Sequence, residues 1–256
     1  MATFIIADLH LSNKRPQYTQ ALKNFFKCLK SNDKVIIAGD LFDFFVGLDP
    51  KDHLYQEIRN ITLDGLNRGI KTFFICGNRD FLLDKKAARF FNFELVKNYY
   101  IEKYNKSNVL ILHGDQLCTN DKDFQRFRKI TNNKILQCIF MHMPLSLRNK
   151  VGEKVRNKSQ NLDPIRNKDQ KLFGLVDSTC KKYLQDNNCN ILIHGHFHIF
   201  ETKHNAFGEN TCRLGLGCWD MNFSFVRIGR KIENIQMPIE TLVGISPIVS
   251  LSEPNS

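Results

Sequence analysis

This sequence predicts an α/β fold whose chemistry gathers at one sheet edge, and three observations predict it. Five short apolar runs read as buried strands. Stretches with apolar residues at helical spacing separate the first three. Each run ends in a polar cluster drawn from Asp, Asn, His and Gly, and the C-terminal edge of such strands is where open α/β sheets bind ligands.

The first run, Thr3-Phe4-Ile5-Ile6-Ala7, leads into Asp8-Leu9-His10, and the second, Val35-Ile36-Ile37-Ala38, into Gly39-Asp40-Leu41-Phe42-Asp43. Thr72-Phe73-Phe74-Ile75-Cys76 leads into Gly77-Asn78-Arg79-Asp80, and Val109-Leu110-Ile111-Leu112 into His113-Gly114-Asp115. The fifth run, Ile191-Leu192-Ile193, meets His194-Gly195-His196-Phe197-His198. Side chains two apart on an extended segment share a face, so His194, His196 and His198 are expected to converge. Helices are predicted over 17–30, from Ala21, Leu22, Phe25, Phe26 and Leu29, and over 53–68, from Leu54, Ile58, Ile61 and Leu66. Residues 93–112 read as neighbouring strands joined by a polar turn at 105–108. Strands are expected again over 211–217, 222–228 and 232–237.

Between the fourth and fifth runs lies a stretch of different character. Residues 121–158 place Phe124, Phe127, Ile130, Ile135, Leu136, Ile139 and Phe140 at roughly helical spacing, with no strand followed by ligand-type residues. Residues 122–182 carry 15 Lys/Arg against 5 Asp/Glu, so nearly all of the net charge of +11 sits in this quarter of the chain. A basic segment favours a polyanion, an anionic lipid surface or nucleic acid. Two readings stand: amphipathic helices closing the core, or a cap binding something part apolar and part anionic.

Composition bounds the rest. With 256 residues, 42% hydrophobic and 25% charged, the chain reads as one soluble domain. No apolar run nears the roughly 18 residues of a membrane span, and the N-terminus reads as a strand instead of an export signal. Eight cysteines without a C-x-x-C pair read as reduced thiols in a cytoplasmic protein. The domain is expected over 1–240, with a helical cap insertion at about 121–168 and a C-terminal tail over 241–256.

Collected at the strand ends, Asp8, His10, Asp40, Asn78, His113, His196 and His198 form a carboxylate, amide and imidazole set without thiolate. Such a set suits divalent Mn, Fe, Zn or Co. Seven ligands exceed what one ion takes from a protein, and two ions could share them.

This series of motifs resembles the calcineurin-like metallophosphoesterases, through Asp8-Leu9-His10, Gly39-Asp40-Leu41-Phe42-Asp43, Gly77-Asn78-Arg79-Asp80, His113-Gly114-Asp115 and Gly195-His196-Phe197-His198. Phe81-Leu82-Leu83, Leu117-Cys118-Thr119 and Phe124-Gln125-Arg126-Phe127-Arg128 extend the likeness to the subgroup acting on UDP-2,3-diacylglucosamine in lipid A biosynthesis. The resemblance spans roughly 2–237 and implies a four-layer α/β/β/α sandwich. It implies one divalent ion on Asp8, His10, Asp40 and His198 and another on Asp40, Asn78, His113 and His196, with Mn2+ the expected metal. Asn78, Arg79 and His196 become the catalytic set, with Arg79 on the phosphates, where arginine is the bidentate choice. Asp121 and Ser159 match substrate contacts, while Asp163 and one of Arg166 or Lys168 stand where the family has an Asn and a Lys. Phe197 and Ile199-Phe200 depart from the family's Thr and Arg-Pro, which bears on substrate fit more than on chemistry.

The implied reaction is hydrolysis of UDP-2,3-diacylglucosamine at the α-phosphate to UMP and 2,3-diacylglucosamine 1-phosphate, with the ions activating the attacking hydroxide. Phe124, Phe127 and Phe140 are expected to line an acyl groove, and Arg156 to attract phosphate or headgroups. The expected partners are the nucleotide-sugar lipid and the cytoplasmic face of the inner membrane, touched peripherally. No nucleic acid and no obligate protein partner are expected. The same site on another substrate would make a nuclease, a dinucleoside polyphosphate hydrolase or a protein phosphatase. A non-catalytic scaffold would tolerate a degraded ligand set, which this one is not.

Overall fold

A strand covered on both faces needs apolar side chains at every position, and the five runs meet that condition. In the computed structural model, which describes residues 1–168 and 170–244 without the side chains of 158–171, the elements run in the order β1 (Thr3–Ile6), α1 (Pro16–Cys28), β2 (Lys34–Ala38), α2 (His53–Asn67), β3 (Lys71–Ile75), α3 (Lys85–Phe90) and β4 (Phe93–Val96). There follow β5 (Tyr99–Tyr104), β6 (Ser107–Leu112), α4 (Lys122–Thr131), α5 (Lys134–His142), α6 (Leu145–Lys168), α7 (Gln170–Phe173) and α8 (Asp177–Asp186). The chain then forms β7 (Ile191–His194), β8 (Glu201–His204), β9 (Cys212–Gly215), β10 (Asn222–Ile228), β11 (Ile232–Pro238) and α9 (Glu240–Val243).

Two sheets result. The first has the order β11-β10-β1-β2-β3-β4, parallel from β1 to β4 and antiparallel at β10 and β11. The second has the order β5-β6-β7-β9-β8, with β6, β7 and β9 parallel. Strand alternation assigns the layers. Ile5, Ile36 and Ile75 meet Val109, Ile111, Ile193 and Leu214 between the sheets. Phe4, Ile6, Val35, Ile37 and Phe74 pack outward with Leu22, Phe25 and Ile58 of α1 and α2. Leu110, Leu112 and Leu192 turn the other way, towards Cys180 and Leu184 of α8. The four layers α/β/β/α are therefore present.

Two sequence expectations change. Phe93–Val96 is no neighbour of β5: it pairs parallel with β3 in the first sheet, while β5 and β6 form a hairpin in the second, turning at 105–106. The strand expected at 211–217 is shorter, Cys212–Gly215, and pairs with β8, whose mostly exposed Glu201–His204 carries no apolar signal. Helix α9 packs on α1, with Leu242 fully buried and Leu242 O accepting from Asn24 Nδ2 at 2.6 Å. The expected tail beyond 244 lies outside the described residues. Helix α1 starts on Pro16 at its first position, where the missing N–H costs nothing, and α2 is capped by Asp52, accepting from Tyr55 N at 3.2 Å. All eight cysteines are free thiols. Among the described residues no helix is long and apolar enough to cross a membrane.

Candidate metal centre

The loops that leave β1, β2, β3, β6 and β7 meet at the C-terminal ends of both sheets. The first two are zipped together by Asp8 N to Gly39 O (3.1 Å), His10 N to Asp40 O (3.1 Å) and Leu11 N to Leu41 O (2.8 Å). Gly195 N donates to His113 O at 2.8 Å, and Trp219 N to Asp8 O at 3.0 Å. Five of the seven expected ligands sit in the left-handed backbone region: Asp8 (φ 56°), His10 (48°), Asp40 (53°), His196 (68°) and His198 (55°). Each such residue costs about 1 kcal/mol or more. Strain this concentrated persists where the side chains it aims are needed.

That backbone also explains a difference from the sequence reading. Strand β7 ends at His194, and the left-handed turns at His196 and His198 break the alternation that would have aligned three histidines. His194 is buried, its Nδ1 bonded to Gly195 O at 3.0 Å, and it belongs to neither ligand group. Burial pushes its pKa down to about 4.

The other residues come together. Ligand-type atoms of Asp8, His10 and His198 lie within 4.8 Å of one another, as do those of Asp8, Asp40 and His113. Asn78 Oδ1 receives His113 Nε2 at 2.9 Å and His196 Nδ1 at 2.8 Å. His10 Nε2 and His198 Nε2 face each other at 3.2 Å. All seven expected ligands thus join one constellation. Asp8 has a ligand-type oxygen in both groups, and Asp40, to which the resemblance gives the shared place, belongs to the second, its Oδ1 accepting from Arg79 N at 2.8 Å and lying 3.6 Å from His113 Nε2.

The electrostatics favour a cation. Burial pushes the Asp8 carboxyl up, but the hydrogen bond and charge of His198, with His113 and His10, pull it well below the usual carboxylate range. Burial, then the charge of Asp8, raise the carboxyl of Asp40. Burial works against the His113 imidazolium, yet Asp40 first and Asp8 next lift its pKa to about 9. Two buried carboxylates thus draw protons onto His113 and His198, while burial and then the charge of His198 hold the His10 pKa well below its ordinary value. Asp8 Oδ1 has the long contact of His198 Nε2 at 3.5 Å, and His10 Nδ1 is buried without a hydrogen-bond partner among the described residues. Oxygen and imidazole donors, with no thiolate in either group, fit hard-to-borderline divalent ions.

Arg79 is buried beside Asp40, its Nε in a long ion pair with Asp40 Oδ2 at 4.0 Å, and its Nε and Nη1 have no hydrogen-bond partner among the described residues. Phe124 is buried, its ring 5.3 Å from the His196 ring. Asp121 caps α4 by accepting from Phe124 N at 2.9 Å. Phe127 is exposed, Phe140 packs partly against the core, and Arg156 forms an ion pair with Asp43 at 2.7 Å. The side chains of Ser159, Asp163, Arg166 and Lys168 lie outside the described residues.

Sequence reasoning passed over Asp80. Its Oδ1 accepts from Gly77 N at 2.6 Å and its Oδ2 from Leu41 N at 2.8 Å, tying the second loop to the third. Burial, then Asp40, push its pKa up to about 7. The Gly-Asn-Arg-Asp run held the only signal, a carboxylate two residues past a ligand-type residue. Trp219 was also passed over, although its backbone holds the Asp8 loop.

The family model of the calcineurin-like phosphoesterases matches residues 1–200. The chain belongs to that family of metal-dependent phosphoesterases. Within it, a protein of Histophilus somni (strain 2336) named UDP-2,3-diacylglucosamine hydrolase is 37% identical over 230 residues, 88% of this chain and 95% of that one. Proteins of the same name from Tolumonas auensis (36% identical; 94% of this chain, 99% of that one) and Wigglesworthia glossinidia brevipalpis (35%; 92% and 94%) are similar over nearly their whole lengths.

Proposed function

We propose that this chain hydrolyses UDP-2,3-diacylglucosamine at the α-phosphate, releasing UMP and 2,3-diacylglucosamine 1-phosphate in lipid A biosynthesis. The supporting observation is the complete constellation of Asp8, His10, Asp40, Asn78, His113, His196 and His198, in a chain similar over nearly its full length to proteins of that name. These seven residues would hold two divalent ions, with Mn2+ the proposed metal. Bound there, the ions would lower the pKa of a water and offset charge on the phosphate. Water oxygen joins the α-phosphorus, and the bond to the bridging oxygen of the β-phosphate breaks. Arg79 turns the N–H groups of Nε and Nη1, which make no hydrogen bond among the described residues, to the phosphate as charge builds. Asn78 orients His113 and His196 through one oxygen.

Arg79→Ala is expected to lower kcat about 100-fold, and Arg79→Lys to recover little of it, because an ammonium lacks the planar fork. Steady-state UMP release checks both. The reading itself is tested by UMP release from UDP-2,3-diacylglucosamine beside its deacylated analogue, with Mn2+ supplied and then chelated. Release that is metal-dependent and favours the acylated substrate supports it; equal rates on the two would point to a phosphoesterase of soluble substrates.

Helices α4–α6, about 121–168, are assigned as a cap. Phe124, Phe127 and Phe140 would line its acyl groove, with Arg156 near the headgroup and Asp121, Ser159, Asp163 and Arg166 or Lys168 at the sugar. Helix α5 buries none of its residues, leaving Ile135 71% and Ile139 60% exposed. An exposed apolar helix within a segment rich in Lys and Arg suits the cytoplasmic face of an anionic membrane. Ile135→Ser with Ile139→Ser is expected to weaken binding to phosphatidylglycerol vesicles about tenfold, measured by co-sedimentation at low salt. Unchanged binding would remove α5 from the membrane contact.

A further inference from the structure

Beside the metal centre, on the flank where β4 forms the sheet edge, the structure holds a cavity of about 710 Å³. Cavities of roughly 300–1,000 Å³ accept ligands the size of a nucleotide. Its wall includes Gly77, next to Asn78, and Asp115 and Gln116, two and three residues past His113. It therefore abuts the loops that build the metal centre. None of the residues assigned above to the acyl groove lines it.

The chemistry of the wall is specific. Lys85, Arg89, Lys97, Arg128 and Lys134 contribute five positive charges against the single carboxylate of Asp115. Asp115 is neutralised by Arg128, with Nε to Oδ2 at 2.5 Å, and Lys134 Nζ donates only to the neutral Gln137 Oε1 at 3.0 Å. Lys85, Arg89 and Lys97 have no carboxylate partner among the described residues. Gln116 is 7% exposed, and its Oε1 is buried without a hydrogen-bond partner. A buried acceptor of this kind calls for a donor, and a ligand in the cavity supplies one once the Gln116 side chain turns that oxygen toward it. Phe81 and Phe93 supply apolar wall beside it. A ligand with an N–H between acceptors, a flat ring and a phosphate meets all of these demands, and the uracil of a uridine nucleotide carries such an imide edge.

We infer that this cavity is the nucleotide subsite, holding the uridine half of the substrate, with Gln116 recognising the base and Lys85, Arg89 and Lys97 the ribose-phosphate side. The inference rests on the proposed function for the identity of the nucleotide. It divides the substrate across the metal centre, uridine toward the β4 edge and acyl chains toward the helices α4–α6.

Two variants test it in the full-length, Mn2+-loaded protein by calorimetric titration with UMP and, in parallel, with inorganic phosphate. Gln116→Met is expected to weaken UMP about tenfold and to leave phosphate binding unchanged, because phosphate alone does not reach the base-recognising wall. Lys85→Glu with Lys97→Glu, both at exposed positions, is expected to weaken UMP about tenfold. In turnover, KM should rise in both variants with kcat within about twofold of wild type. UMP affinity within twofold of wild type in both variants would overturn the inference, as would a Gln116→Met loss shared equally by phosphate. Wild-type protein that fails to release UMP from the lipid nucleotide, yet binds UMP with this sensitivity, would overturn the proposed reaction and leave the subsite standing.

Discussion

Asp40→Ala is expected to lower the rate of UMP release by about three orders of magnitude. One side chain serves two parts of the site. Its Oδ1 lies 3.6 Å from His113 Nε2 and holds the backbone N of Arg79 at 2.8 Å, while its Oδ2 lies 4.0 Å from Arg79 Nε. Alanine would remove a donor from the proposed metal set and loosen the arginine proposed to face the phosphate. Metal and arginine together supply several kcal/mol of charge stabilisation, and each 1.36 kcal/mol is tenfold in rate. Rate and bound-metal content, measured on the same preparation, check it. A variant within tenfold of wild type, with two ions bound, would end the case for Asp40 as a ligand.

Gly39→Ala is expected to cost about 3 kcal/mol of stability and to lower the melting temperature by about 9 °C. Two costs add. Gly39 has φ +85°, where an L side chain is strained, and a Cβ there would lie 2.5 Å from His113 Nδ1 and 2.8 Å from Gly77 Cα. The ring cannot swing away freely, because its Nδ1 donates to Ala38 O at 2.9 Å and its Nε2 meets Asn78. Two further substitutions separate the terms. Gly208 has φ +126° with nothing within 4 Å of an added Cβ, so alanine there reports backbone strain alone, about 1 kcal/mol. Gly229 has neither feature and should be near neutral. Thermal denaturation of the three variants should rank them Gly39, Gly208, Gly229; equal losses at the first two would show that His113 yields without cost.

The layers and the ligand-bearing loops were legible because burial on two faces leaves a strong mark. Ile5 and Ile6 point to different cores, yet both must be apolar, so the run stands out with no structure in hand. The polar cluster behind each run stood out for the converse reason: charged and imidazole groups directly after a buried strand need partners. Strand β8 left no mark, because its exposed side chains carry no pattern and only its pairing with β9 makes it a strand. The pairing of β4 with β3 instead of β5 depends on contacts far apart in sequence, which local periodicity does not encode. Asp80 was hidden because its carboxylate binds backbone N–H groups of Gly77 and Leu41, and any residue but proline can present those.

By itself the sequence determined the α/β class, the order of the loops and the types of side chain they bring to the site, since these follow from local burial and local ligand chemistry. Only the tertiary structure decided which side chains meet: that His194 stays in its strand while His196 turns left-handed to Asn78 and His198 to Asp8 and His10, and that a basic cavity lined by Gln116 opens beside them. The reason is physical. Backbone dihedrals at strand ends, and the distances between loops that never adjoin in sequence, are set by the packing of two sheets against each other, and no single segment contains that information.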